Sequence, residues 1–316
     1  MLPLFDTVAF VFALIALGWA TGATRYLPEA TGEGLAGFAV GVALPLLLFR
    51  TMAQADFSGA APWALWAAYF SAVAAAWTMG HLLTTRLFGG ASQMGVVGGV
   101  SSAFSNLLLI GIPLVQGVFG QAGFEALSLI LAVHLPVMLL ASVLLFQLFG
   151  PRGDGSIRLG AAVRQFLSKV FANPLIIGIL LGLLWRAGGL DMPGLMRRLV
   201  EALSGVASPL ALFAVGLNLS RFGLSGQLGP AVALSALKLF VMPAAALLAA
   251  WALGLPPLAA KVAVLAAALP AGVNTYLIAT QFGTGQGIAS NVMTVATASA
   301  ILTISLWLWV LQGLYG

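Results

Sequence analysis

The sequence predicts an all-α integral membrane protein of roughly ten transmembrane helices, arranged as two inverted five-helix repeats. Three observations carry that expectation. The composition is apolar and almost uncharged, apolar runs of spanning length follow one another with short joints, and the two halves of the chain share a pattern. Of 316 residues, 61% are hydrophobic and 7% charged, against about a quarter charged in a soluble domain. Thirteen Lys and Arg with eight Asp and Glu cannot clothe a soluble surface of this size. The mean hydropathy of +1.08 is the opposite of a disordered chain. The net charge of +5 reads as basic residues in cytoplasmic loops rather than as a nucleic-acid footprint, so no nucleic acid is expected as a partner. Without cysteine there is no disulfide, thiolate metal site or cysteine nucleophile, and no cofactor is expected.

The first run, 5–22, follows a start without the basic residues of a secretory signal, the first charge being Asp6. It is therefore read as a spanning helix. Further runs occupy 35–53, 62–88, 94–119, 124–149, 171–188, 199–219, 229–253, 257–281 and 287–312. Breakers and charges mark the joints, among them Pro28-Glu29, Gly89-Gly90, Met192-Pro193-Gly194 and Pro256-Pro257. A transmembrane barrel would alternate apolar and polar residues over about ten positions, and these runs are continuous. The stretch 150–169 carries Arg152, Arg158, Arg164 and Lys169 against Asp154, which places it in the cytoplasm. Five runs on each side then put both termini outside an inner (cell) membrane. Arg25, Arg86 and Arg221 agree with that orientation, whereas Arg50, Arg186, Arg197, Arg198 and Lys261 oppose it. The units expected are a first repeat at 1–149, a cytoplasmic loop at 150–170 and a second repeat at 171–316.

Similar signals recur around the loop. Gly18-Trp19 with Leu27-Pro28 in the first half answers Gly182 to Trp185 with Met192-Pro193 in the second, and Pro45 answers Pro209. An odd number of helices per half inverts the second half relative to the first, as in many secondary transporters. The fourth run, FSNLLLIGIPLVQG (104–117), holds Gly111 and Pro113; the ninth, ALPAGVNTYLIATQFG (268–283), holds Pro270 and Gly272. Proline removes a backbone donor and crowds the preceding turn. Interrupted backbone at membrane depth is tolerated only where it is buried or lines a cavity. A helix resuming after such a break aims its free amides and positive dipole end at that cavity. Two breaks in corresponding positions, each with an asparagine nearby (Asn106, Asn274), point to a transport site, although proline kinks alone are common in membrane helices.

At these residues the chain resembles the auxin efflux carrier family, within the wider bile-acid and arsenite transporter group. The resemblance rests on SNLLLIGIPL (105–114), NPLIIGILLGLL (173–184), SPLALFAVGLNLS (208–220), LKLFVMP (237–243) and LPAGVNTYLIATQFG (269–283). It implies ten helices with outside termini, the fourth and ninth crossing at their prolines. It also implies a scaffold domain (helices 1, 2, 6, 7), a transporter domain (helices 3–5, 8–10), a homodimer through the scaffold, and transport of organic anions. The leading functional reading is accordingly a secondary transporter, an exporter of small organic anions such as carboxylates, working by an elevator or rocking movement of the crossover domain. The third run, APWALWAAYFSAVAAAW (61–77), lacks the acidic and basic residues of the plant members, which speaks against auxin itself as substrate.

The expected substrate residues are Asn106, Gly111, Pro113, His134, Lys238, Pro270 and Asn274. A lysine about ten residues into a span costs on the order of 2.5–3.5 kcal/mol, so Lys238 reads either as a counter-charge to an anion or as a lysine that snorkels to the interface or is tied to a backbone carbonyl. His134 is mapped onto the substrate by the resemblance, and its unperturbed pKa near 6.5 suits a proton step. A buried histidine can equally be structural. Asparagine amides offer donors to a carboxylate or satisfy backbone freed by a break. Gln147 and Asn218 have weaker claims, His81 and Arg86 belong at the membrane face, Asp6, Asp56 and Lys261 at the interface, and Trp307 and Trp309 fit an aromatic belt. The competing readings are a sodium-coupled symporter, a channel or receptor on the same fold, and an intramembrane enzyme. The last lacks any HExxH, GxSxG or paired-aspartate motif.

Overall fold

The computed structural model describes residues 2–55, 62–149, 172–222, 224, 226 and 228–316. Asp56 and the basic loop at 150–169, with the orientation drawn from it, lie outside the described residues. Among those residues the fold is helical, without a strand. The helices are α1 (Leu2–Ala23), α2 (Glu29–Phe38), α3 (Leu44–Gln54), α4 (Pro62–Leu82), α5 (Ser92–Ala103), α6 (Ile112–Phe149), α7 (Pro174–Ala187), α8 (Gly194–Gly205), α9 (Ala207–Leu219), α10 (Leu228–Ala236), α11 (Met242–Ala252), α12 (Pro257–Ala268), α13 (Val273–Gln281) and α14 (Gln286–Tyr315). Six helical stretches are long and apolar enough to cross a membrane: Leu4–Ala23, Ala30–Gln54, Leu107–Phe149, Gly194–Leu219, Leu228–Ala252 and Gln286–Tyr315. Pro174–Ala187 and Pro257–Ala268 are shorter apolar helices. The longest stretch turns at Gly120, whose φ of 64° is left-handed, between the fourth and fifth apolar runs. Large apolar side chains such as Trp63, Trp251 and Leu302 face outward, as a lipid-facing surface requires.

Three prolines inside helical stretches share one solution. Wide π turns at Ala39–Ala43, Leu107–Gly111 and Leu237–Val241 precede Pro45, Pro113 and Pro243. In each, the residue before the proline donates five residues back: Leu44 to Ala39, Ile112 to Leu107, Met242 to Leu237. The widened turn relieves the clash between the ring and the carbonyl four residues earlier. Pro209 instead lies in the first turn of α9, where no amide donor is needed.

Helix packing rests on small residues. A Cβ at Gly18 would strike the Phe213 carbonyl and one at Gly216 the Ile15 carbonyl, so α1 and α9 meet backbone to backbone. Gly178 meets the Pro45 carbonyl and Gly182 the Phe49 carbonyl, which seats α7 on α3 in the same way. Between helices in lipid, close approach and dispersion contacts take the place of the hydrophobic effect. Trp307 does not join an aromatic belt. It is 9% exposed and its Nε1 donates to the Leu239 carbonyl at 2.8 Å, because a buried indole needs a hydrogen-bond partner. Trp309, at 56%, is exposed.

Candidate substrate site

Two helices are interrupted, and the interruptions meet. The first lies between α5 and the π turn at Leu107, across Phe104, Ser105 and Asn106; the second lies between α12 and α13, from Leu269 to Gly272. Ser105 and Ala271 form an antiparallel bridge, and the Asn106 amide donates to the Pro270 carbonyl at 2.9 Å. Each break thus supplies a partner for backbone that the other has freed, which buried peptide groups demand. Close approach is possible because residue 272 is glycine: an added Cβ would lie 3.2 Å from Asn106 Cβ.

The first break falls earlier than Gly111 and Pro113 suggest. Gly111 belongs to the π turn, against Leu269, and Pro113 is buried at the start of α6. The proline is absorbed by the wide turn. The interruption comes instead from Ser105 and Asn106, residue types that compete with helical hydrogen bonding and favour helix starts. Pro270 lies within the second break, as the sequence implies.

Beside the junction is a cavity of about 40 Å³ lined by Ser105, Asn106, His134, Asn173 and Asn274, with apolar walls that include Leu48, Leu131 and Ile176. Such space admits water. Three helix starts converge on it. Asn106 caps the helix that resumes after the first break, its Oδ1 accepting from Leu109 N at 3.2 Å. Asn173 caps α7, accepting from Leu175 N at 2.9 Å. Asn274 is the second residue of α13, whose N-cap is Gly272. A backbone amide can be met only by the side-chain oxygen, so capping fixes the amide orientation of Asn106 and Asn173. Their NH2 groups are what remains to offer the cavity.

His134 closes the inner side. It is 2% exposed, with Nδ1 3.3 Å from the Tyr69 hydroxyl and the ring edge-on to Phe104. Its Nε2 is buried with no partner, an exception in native structures that calls for an explanation. Lys238 does not line the cavity. It is fully buried behind it, donating to the Ala267 carbonyl at 2.6 Å, to Ser105 Oγ at 2.9 Å and to Met242 Sδ at 3.2 Å. Among the described residues no Asp or Glu is buried, so Nζ is met by two oxygens and a sulfur and by no acid. It is joined to the cavity wall by its hydrogen bond to Ser105.

Of the substrate residues expected from the sequence, Asn106, His134 and Asn274 line the cavity; the sequence reading did not single out Asn173 and Ser105 in its wall or Tyr69 behind His134. The Asn-Pro pair at the head of the sixth run is a helix-start signal, and it was the available clue to Asn173. Asn218 serves packing, donating to the Gly32 carbonyl at 3.3 Å, and Gln147 is exposed. His81 stacks on Phe149, with ring centroids 4.6 Å apart.

Comparison with known proteins gives the family. The family model described as "Membrane transport protein" matches residues 3–308. An "Uncharacterized transporter" of Methanothermobacter thermautotrophicus is 25% identical over 96% of this chain and 96% of its own length. A "Putative malonate transporter" of Rhizobium meliloti is 26% identical over 95% of this chain and 93% of its own. Auxin efflux carrier component 1 of Arabidopsis thaliana is 29% identical over 46% of this chain and 24% of its own. The chain accordingly belongs to the auxin efflux carrier-like family of membrane transport proteins and is a multi-pass membrane transporter rather than an enzyme.

Proposed function

We propose that the protein is a secondary transporter that exports small organic anions, carboxylates of malonate size, bound in the cavity beside the two breaks. The observation that carries this reading is the convergence of three helix starts, each with an asparagine, on one cavity that also receives the unpartnered Nε2 of His134. Amide donors and positive helix ends favour an anion. No carboxylate among the described residues lines the cavity to oppose one. The small volume favours a substrate of few heavy atoms. The relative named for malonate, which aligns along nearly the whole chain, supports the same class.

The proposed architecture is ten transmembrane helices in two inverted repeats, with the fourth and ninth crossing where the breaks pair. Support comes from the contact of α1 with α9 and of α3 with α7, in which the first and second helices of one half exchange partners with those of the other. These four spans would form the scaffold and the homodimer contact. The broken helices would move against them as an elevator, with the cavity at the boundary because Leu48 and Asn173 come from the scaffold side.

The test is direct binding. Purified protein titrated with malonate, succinate, acetate and a neutral diamide should bind the carboxylates and not the diamide, and malonate should exchange in proteoliposomes. Absence of any carboxylate-dependent thermal shift together with absence of exchange would remove the reading.

A further inference from the structure

We infer that the ammonium of Lys238 is a tethered cation filling a monovalent-cation site built by the C-terminal end of α12 and the Ser105 hydroxyl in the break after α5, so that the protein takes up no dissolved cation there. The inference does not depend on the identity of the transported anion.

The junction has two electrical faces. The helices that resume after the breaks start at Leu107 and Val273, and their asparagines line the cavity. The helices that stop before the breaks end at Ala103 and Ala268. A helix C-terminus carries unpaired carbonyls and the negative end of the dipole. Broken transporter helices use such ends, with unwound carbonyls, to hold sodium or a proton. Here the carbonyl of Ala267, in the last turn of α12, and the hydroxyl of Ser105, two residues beyond α5, both receive the same nitrogen. Met242 Sδ takes the third contact. An ammonium has three protons to donate, and three acceptors are in place.

The carbonyl and hydroxyl oxygens, without an acid, are ligands that a small monovalent cation also takes, whereas the Met242 sulfur serves the ammonium only as a weak acceptor. A lysine needed only as a neutralising partner would face a carboxylate, and among the described residues none is buried. The π turn Leu237–Val241 that carries Lys238 precedes Pro243 and relieves the clash of its ring with the preceding turn. The site and its occupant are thus contributed by three separate stretches of one chain, around residues 105, 238 and 267.

The test reads stability rather than transport, so its failure is distinct from failure of the anion reading. Thermal unfolding of purified protein is measured in choline, sodium, potassium and methylammonium chloride at equal ionic strength. The wild type should unfold at one temperature in all four. Lys238→Ala should unfold several degrees lower in choline and recover, saturably, in sodium or methylammonium, as binding to the native state requires. Lys238→Met refills the volume and should show no recovery in any salt. A wild type stabilised by sodium over choline overturns the inference. So does a Lys238→Ala protein indifferent to all small cations, or one that cannot be purified folded even when methylammonium is present throughout.

Discussion

The two faces of the helix junction use similar backbone ends in opposite ways. On the cavity face, three helix starts leave asparagine NH2 groups and one imidazole nitrogen unspent, beside space that water can enter. On the inner face, a fully buried ammonium receives an acceptor for each of its protons. An exchangeable ligand needs donors that solvent can satisfy between visits. A permanent ligand needs saturation, because an unpaired charge in a low-dielectric interior is strongly destabilising. On the proposed reading, the same interruption would hold a mobile anion and a fixed cation by offering them opposite helix ends.

Experiments can break that contrast at several strengths. The largest effect is expected from Gly272→Val, where the two faces touch. A Cβ there already lies 3.2 Å from Asn106 Cβ, and a branched side chain should cost about 1–3 kcal/mol of stability by overpacking. Thermal unfolding should fall by several degrees, with malonate binding lost. Next comes Asn106→Asp. The carboxylate keeps an acceptor for Leu109 N but replaces the NH2 donor with a negative charge, so the helix cap survives while anion affinity falls at least tenfold by calorimetry. Retained affinity would show that the cavity does not hold an anion at that helix start. Asn173→Asp applies the same test from α7 and should weaken binding without loosening that helix.

Smaller effects sharpen the boundary. Tyr69→Phe removes the group 3.3 Å from His134 Nδ1 and frees the imidazole orientation. The loss of one buried hydrogen bond, about 0.5–1.5 kcal/mol, should appear as a several-fold weaker affinity. The smallest effect is expected at Arg221→Ala, remote from both faces. Its 2.6 Å ion pair with Glu33 is largely solvent-exposed, so the stability change should stay within about 1 kcal/mol, with binding unchanged.

The apolar runs and their joints could be read because a membrane imposes length and hydropathy on each helix. The second break was legible for a similar local reason: Pro270 lies in it. The first was misplaced onto Pro113, since sequence does not reveal that a π turn will absorb one proline while a Ser-Asn pair elsewhere interrupts the helix. Asn106, His134 and Asn274 stood out as polar groups in apolar surroundings. Asn173 did not, because a capping asparagine looks alike whether its free amide faces lipid headgroups or a cavity, and only packing brings α7 beside the breaks. Trp307 failed for the converse reason. Its position near the chain end suggested the interface, while its hydrogen bond to Leu239 lies across the bundle.

Lys238 has one more consequence, for the membrane potential. A buried charge moved through the full field gains or loses about 2.3 kcal/mol per 100 mV. In the proposed elevator movement Lys238 travels with the broken helices. With Lys238 charged, a carrier loaded with a dicarboxylate dianion would cross with one net negative charge, and the empty carrier would return as a cation. Voltage would therefore act on both legs of net export, whereas one-for-one exchange moves no net charge, so a potential imposed on proteoliposomes should change net export while leaving exchange nearly untouched.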